Sequence, residues 1–167
     1  MHEVQPGAPF LRPSHPGDDA VLAAVIRTVM TSYGAVGPGF SIEDVEVDRM
    51  HETYDAPQSL LIVVDDGTGR AIGCGGIAPL EGGDPDTCEL KKMYFLPEAR
   101  GLGLGRELIT RLEDAARERG FRMVYLETLD TMHEAARLYE RMRYAPIAGP
   151  LGNTGHNRCN HFYTKRL

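Results

Sequence analysis

The stretch "ARGLGLGREL" places Gly101, Gly103 and Gly105 between Arg100 and Arg106. Glycine weakens regular structure, yet an amphipathic helical pattern starts directly after it. A strand, a glycine turn and a helix N-terminus in succession make an anion site. The first helical N–H groups have no intrahelical partners, and the helix dipole adds partial positive charge there. Without Cβ atoms in the way, phosphate oxygens can reach those N–H groups, and the two arginines add charge. The expected ligand is a phosphate or a diphosphate.

A flexible linker would be flanked by polar disorder, whereas this stretch is flanked by a strand and a helix. A P-loop needs a Lys-Ser/Thr pair after its last glycine, and none follows here. The Rossmann fingerprint needs G-x-G-x-x-G directly after a strand. Here the third glycine comes one residue early, and "PEAR" separates strand from glycines. Glu127 ends the next strand, about where a ribose-binding acid would sit, so a dinucleotide reading stays open.

The preceding strand, "CELKKMYFL", breaks the alternation of a regular strand. Leu90, Met93 and Phe95 share its apolar pattern, with one residue too many between Leu90 and Met93. That spacing predicts a β-bulge at Lys91-Lys92, which leaves backbone groups unpaired and bends the strand. A gap between two parallel strands there could hydrogen-bond an extended, amide-bearing chain.

The run R-x-x-G-x-G, carried by Arg100, Gly103 and Gly105, resembles the GNAT acetyltransferase superfamily. The longer "CELKKMYFLPEARGLGLGRELI" looks like its strand-to-helix signature for the pyrophosphate of acetyl-CoA. "AARLYERMRY" is similar to its later helix, with Arg143 where the family commonly has glycine. The resemblance implies an α/β GNAT fold, with a mixed, mostly antiparallel sheet splayed at the bulge and helices on both faces. It implies acetyl-CoA as co-substrate and direct attack by the acceptor amine. Arg100, Gly101, Leu102, Gly103, Leu104, Gly105 and Arg106 would hold the pyrophosphate. Met93, Tyr94 and Phe95 would offer backbone groups to the pantetheine arm and the acetyl carbonyl.

Acetyl transfer to an amine needs a proton acceptor, oxyanion stabilisation and a proton for the departing thiolate. The resemblance places a general base in some members at Glu89. Tyr139, on the apolar face of the last helix, is the candidate general acid. Glu127 is the alternative base, or an anion that binds the amine. The acceptor would enter between the "SYGAVGPGF" loop, with Tyr33, and the C-terminal loop, with His156. His156, Cys159 and His161 lie close in sequence, but H-x2-C-x-H matches no standard zinc spacing, so no metal is expected. A non-catalytic acyl-CoA-binding or sensory module on the same fold is the alternative. Homodimers are common among such folds.

The elements that must position these residues follow from periodicity. "FLRPS" reads as a first strand. Asp18 or Asp19 can cap a helix through "AVLAAVIRTVM", with Val21, Ala24, Val25 and Val29 near one face. Ser41 and Asp44 resemble a second helix start, continued by Ile42, Val45 and Met50. "SLLIVVDD" and "RAIGCGGIAPL" form a hairpin, followed by the strand "TCELKKMYFLP". The helix "LGRELITRLEDAARERG", the strand "MVYLETL", a helix through "HEAARLYERM" and a last strand "NHFYTKRL" complete the order. Thr131 and Glu134 form a capping-box pattern for that second helix, whose inner face is Ala135, Leu138, Tyr139 and Met142.

The 167 residues favour a single acetyltransferase domain over 1–167, with residues 1–8 loose. No long apolar run suggests a membrane span, and the first ten residues lack the pattern of a signal peptide. A net charge of −6 argues against nucleic-acid or anionic-membrane partners. Three scattered cysteines suit a reducing, cytoplasmic home better than a disulfide framework.

Overall fold

The computed structural model of the chain describes residues 7–167. Of the expected loose segment 1–8, residues 1–6 lie outside this range, and residues 7 and 8 form no regular structure. Seven strands form one sheet in the order β1-β2-β3-β4-β5-β7-β6. They are β1 (Phe10–Pro13), β2 (Leu60–Asp65), β3 (Ala71–Pro79), β4 (Thr87–Phe95), β5 (Met123–Thr128), β6 (Ala145–Ile147) and β7 (His161–Arg166). All neighbours are antiparallel except β4 and β5, which are parallel. The helices are α1 (Asp19–Ser32), α2 (Met50–Tyr54), α3 (Leu104–Glu118) and α4 (His133–Arg141).

The parallel pairing is short. It runs only from Thr87 opposite Met123 to Glu89 opposite Tyr125. Beyond Glu89 the two strands part, because β4 bulges. Lys91 pairs with Gly76 and Tyr94 with Cys74, so Lys92 and Met93 together oppose the single residue Gly75. Lys92 takes a left-handed backbone, φ 59°. The bulge therefore lies one residue further along than Lys91-Lys92.

Gly75 shows how closely β3 is packed against this bulge. A Cβ there would lie 2.3 Å from Met93 Sδ and 2.9 Å from Leu108 Cδ2 of α3. On the opposite face, a Cβ on Gly76 would lie 2.9 Å from Tyr54 of α2. The glycines that weaken β3 on propensity let helices approach both sheet faces. The core between these layers includes Leu22, Ile26, Leu61, Ile72, Leu108, Ile109, Leu112 and Tyr125.

Four local readings need correction. The buried face of α1 is Leu22, Ala23, Val25, Ile26, Val29 and Met30; Ala24 is exposed and Val21 only half-buried. Burying Leu22 and Ile26 removes more apolar area from water than burying Ala24. Asp18 sits at the N-cap of α1 without capping it, because its carboxylate accepts from Arg12 and from the His15 N–H instead. The segment from Ser41 is two 3-10 turns, Ser41–Glu43 and Val45–Asp48, followed by the short α2, and Val45 is 82% exposed. Asp44 is extended between the turns, its carboxylate drawn into tertiary contacts that override a continuous helix. Finally, α4 starts at His133 with Met132 as N-cap and has no side-chain cap, so Thr131 and Glu134 form no capping box.

Candidate active site

The glycine turn joins the end of β4 to α3 through a 3-10 turn, Pro97–Ala99. Gly101 and Gly103 have φ of 76° and 75°, a region that strongly favours glycine. Gly103 is the N-cap of α3, and a Cβ on either glycine would meet nothing within 4 Å. The space beside both glycines is open. The first N–H to close back into the helix is that of Glu107, bonded to the Gly103 carbonyl at 3.2 Å. The amides before it are left to an external acceptor, as an anion cradle requires.

This cradle forms one end of a cavity of about 670 Å³. Such a volume suits a sizeable small-molecule ligand. Gly101, Gly103, Leu104, Gly105 and both flanking arginines line it, as do Met93, Tyr94 and Phe95 of β4. Ala135, Leu138, Tyr139 and Met142 of α4 form a facing wall, so most of that helix's apolar stripe meets the cavity rather than a closed core. Tyr33 also lines this cavity, beside the residues expected to hold the coenzyme.

Three details differ from a simple picture of the turn. Arg100 donates from Nε and Nη2 to the Phe95 carbonyl, at 3.0 and 2.8 Å. Much of its donor capacity thus ties the end of β4 to the turn. Leu102 is 57% exposed and absent from the wall, so only its backbone can serve an anion. Arg141, near the end of α4, lines the cavity and was not singled out from the sequence. Its position three residues beyond Leu138 on the same helix face is the signal that could have found it.

A second, smaller cavity of about 70 Å³ shares Met93, Tyr94, Met132, Ala135 and Tyr139 with the first. It lies where β4 and β5 separate, and Glu89, Glu127, His156 and Cys159 line it. The structure thus brings Glu89, Tyr139, Glu127 and His156 to one place. Tyr139 is buried in the wall between the two cavities. Among the described residues its hydroxyl has no hydrogen-bond partner, and burial pushes its pKa up, which keeps the phenol protonated.

Glu89 is 4% exposed. Burial raises its pKa most; Lys91, at 3.8 Å, acts against this, and Glu127 reinforces it. Glu127 accepts from Tyr125 Oη at 3.0 Å and from Thr154 Oγ1 at 2.6 Å. Lys92 Nζ is buried against Asp44 and lies 3.5 Å from Glu46. Lys91 Nζ also lies 3.5 Å from Glu46. Of the four carboxylates in this region, Glu89 and Glu127 line the small cavity beside Lys91, Lys92 and His156, while Asp44 and Glu46 pair with the two ammonium groups.

The loop after β6 closes one side of this cavity. Thr154 and His156 tie it to Glu127 and Asp44, and the Asn153 N–H donates to the Glu81 carbonyl at 2.7 Å. Cys159 lies within the same loop, and burial pushes its thiol up to about 12, so it stays a thiol. Among the described residues no cluster of His, Cys, Asp and Glu could hold a metal ion. No helix among them is long and apolar enough to cross a membrane.

The comparisons with known proteins agree with this architecture. The chain is 40% identical to the uncharacterized N-acetyltransferase YjgM of Escherichia coli (strain K12) over 160 residues, covering 95% of each chain. An acetyltransferase of the GNAT family from Staphylococcus aureus Mu50 superposes with a TM-score of 0.84 at 18% identity, covering 96% of this chain and 99% of that one. A Salmonella typhimurium structure, described as an acetyltransferase with its cofactor acetyl-CoA, superposes with a TM-score of 0.74 at 19% identity, covering 96% and 95%. The family model for the acetyltransferase (GNAT) family matches residues 25–144. This chain belongs to the GNAT acetyltransferase family and is an acyltransferase of that kind.

Proposed function

We propose that this protein, acting as one catalytic domain, moves the acetyl group of acetyl-CoA directly onto a primary amine of a small molecule or peptide. The observation that carries the reading is the wall that the two cavities share. The anion cradle at the start of α3 and the bulged strand line one cavity, and Tyr139 stands in the wall common to it and the smaller cavity of Glu89 and Glu127.

The amides around Gly101 to Arg106 would take the diphosphate, with Arg106 and Arg141 adding charge. The backbone of Met93, Tyr94 and Phe95, freed from β5 by the bulge, would hydrogen-bond the pantetheine amides. The acetyl-CoA bound to the Salmonella relative supports the choice of coenzyme. Glu89 and Glu127, both in the wall of the small cavity, are the groups that would receive an acceptor arriving as an ammonium ion. Buried Glu89, with its raised pKa, is suited to take a proton from that ammonium and release the nucleophilic lone pair. Tyr139, protonated and without a hydrogen-bond partner among the described residues, would donate to the departing sulfur.

The test is coenzyme A thiol release from acetyl-CoA across a panel of primary amines. Amine-dependent release supports the reading. Tight acetyl-CoA binding without release for any amine would favour an acyl-CoA-binding module instead.

A further inference from the structure

An ammonium acceptor must lose two protons to become an amide. One leaves before attack, and the other leaves the tetrahedral adduct. On the reading proposed above, Glu89 takes the first. We infer that His156, held by Asp44, takes the second.

The geometry is specific. His156 Nε2 lies 3.0 Å from Asp44 Oδ1 and 2.9 Å from Oδ2. An ionised carboxylate can only accept, so the imidazole must carry its proton on Nε2. Burial alone would raise the Asp44 carboxyl, but the hydrogen bond from His156 and the charge of Lys92 outweigh it and hold Asp44 ionised. In the neutral imidazole, the tautomer compatible with this contact leaves Nδ1 as the unprotonated nitrogen. Among the described residues Nδ1 has no hydrogen-bond partner, while the His156 backbone N–H donates to Thr154 Oγ1 at 3.2 Å. His156 lines the small cavity with Glu89 and Tyr139. This is the arrangement of an oriented base: a carboxylate engages one ring nitrogen and leaves the other unpaired in a residue that lines the cavity.

The surroundings accommodate the proton. The charged and titratable groups around His156 are Asp44 before α2, Glu89, Lys91 and Lys92 of β4, Glu127 of β5, and Cys159 in its own loop. The buried phenols of Tyr94 and Tyr139 stay neutral, their pKa values pushed up by burial. Asp44, 2.9 Å from Nε2, directly offsets the charge of an imidazolium.

The step balances as follows. The amine lone pair forms a bond to the thioester carbonyl carbon. Nδ1 of His156 takes the proton from the resulting N–H⁺. The oxyanion then collapses, the C–S bond breaks, and the sulfur takes the Tyr139 proton, which solvent replaces. Glu89 and His156 return their protons to solvent.

His156→Gln keeps a side-chain amide able to donate to Asp44 but cannot titrate. We expect kcat to fall about 10²-fold, with acetyl-CoA affinity unchanged and one ionisation lost from the acidic limb of the kcat/KM profile. Asp44→Asn should lower kcat and alter the same limb, as expected of a positioning residue. The ¹⁵N spectrum of wild-type His156 should show the Nε2-protonated form at assay pH, a readout independent of any variant's folding. The opposite tautomer, or a His156→Gln variant with unchanged kcat and pH profile, would overturn the inference while leaving the proposed reaction intact. If wild type shows no amine-dependent thiol release, the proposed reaction fails first, and this inference with it.

Discussion

Lys92 buries its ammonium against Asp44 while its own backbone sits in the left-handed region of the bulge. The side chain is 1% exposed and also lies 3.5 Å from Glu46. One residue therefore shapes the strand and joins it to the loop before α2. Removing the ammonium leaves two carboxylates short of their partner. We predict that Lys92→Met costs about 3 kcal/mol, as for a broken buried ion pair, and lowers turnover by loosening Asp44. Urea unfolding with matched kinetics checks this, and unchanged stability would show that the pair is not structural.

Tyr139→Phe removes one hydroxyl that has no hydrogen-bond partner among the described residues. Stability should change little, since no hydrogen bond within the protein is lost. Turnover should fall about 10²-fold or more, as when a general acid is removed. Thermal unfolding and steady-state kinetics together separate these outcomes, and full activity would remove Tyr139 from the mechanism.

Gly103→Asp places a carboxylate beside the amides expected to hold the diphosphate. Asp and Asn tolerate the left-handed region better than other side chains, and the surrounding space is open. Gly103→Asn is thus the neutral control for backbone strain. Calorimetric titration with acetyl-CoA should show at least a tenfold weaker affinity for Asp than for Asn, equivalent to about 1.4 kcal/mol. Equal affinities would mean that no anion binds there.

Glu89 holds its proton more tightly in the folded chain than in the unfolded one, chiefly because of burial. Its contribution to stability is full below the ordinary glutamate value of 4.5 and is lost as pH rises through the higher folded value. Glu89→Gln should therefore be more stable than wild type near neutral pH, with the advantage shrinking in acid. It should also lose about 10²- to 10⁴-fold in turnover. Melting temperatures across pH, with kinetics at one pH, test both halves.

The long elements were legible because their chemistry is local. The stripe of α3, the apolar run of β2 and the extra residue before Met93 can each be read from spacing alone. The glycine turn was legible for the same reason. β6 was missed because it is three residues long and contains Pro146, a mark of an edge strand that periodicity cannot register. The Ser41–Asp48 segment was misread because its shape depends on Asp44 meeting Lys92 and His156, residues 48 and 112 positions away. The bond from Arg100 to the Phe95 carbonyl and the position of Arg141 in the cavity are likewise products of folding. The bond has no local signature; Arg141 shares the helix face of Leu138, but spacing alone does not say that this face meets a cavity.

On the proposed reading, acetyl-CoA lies from the cradle at α3 along the bulged strand to Tyr139, beside the small cavity of Glu89 and Glu127. A crystal structure of the protein with acetyl-CoA tests it most directly. The account predicts that the diphosphate accepts hydrogen bonds from amides between Gly101 and Arg106, the pantetheine lies along Met93 to Phe95, and the thioester sulfur is within reach of Tyr139 Oη. A diphosphate bound away from the glycine turn, or a thioester turned away from Tyr139 and Glu89, would contradict it.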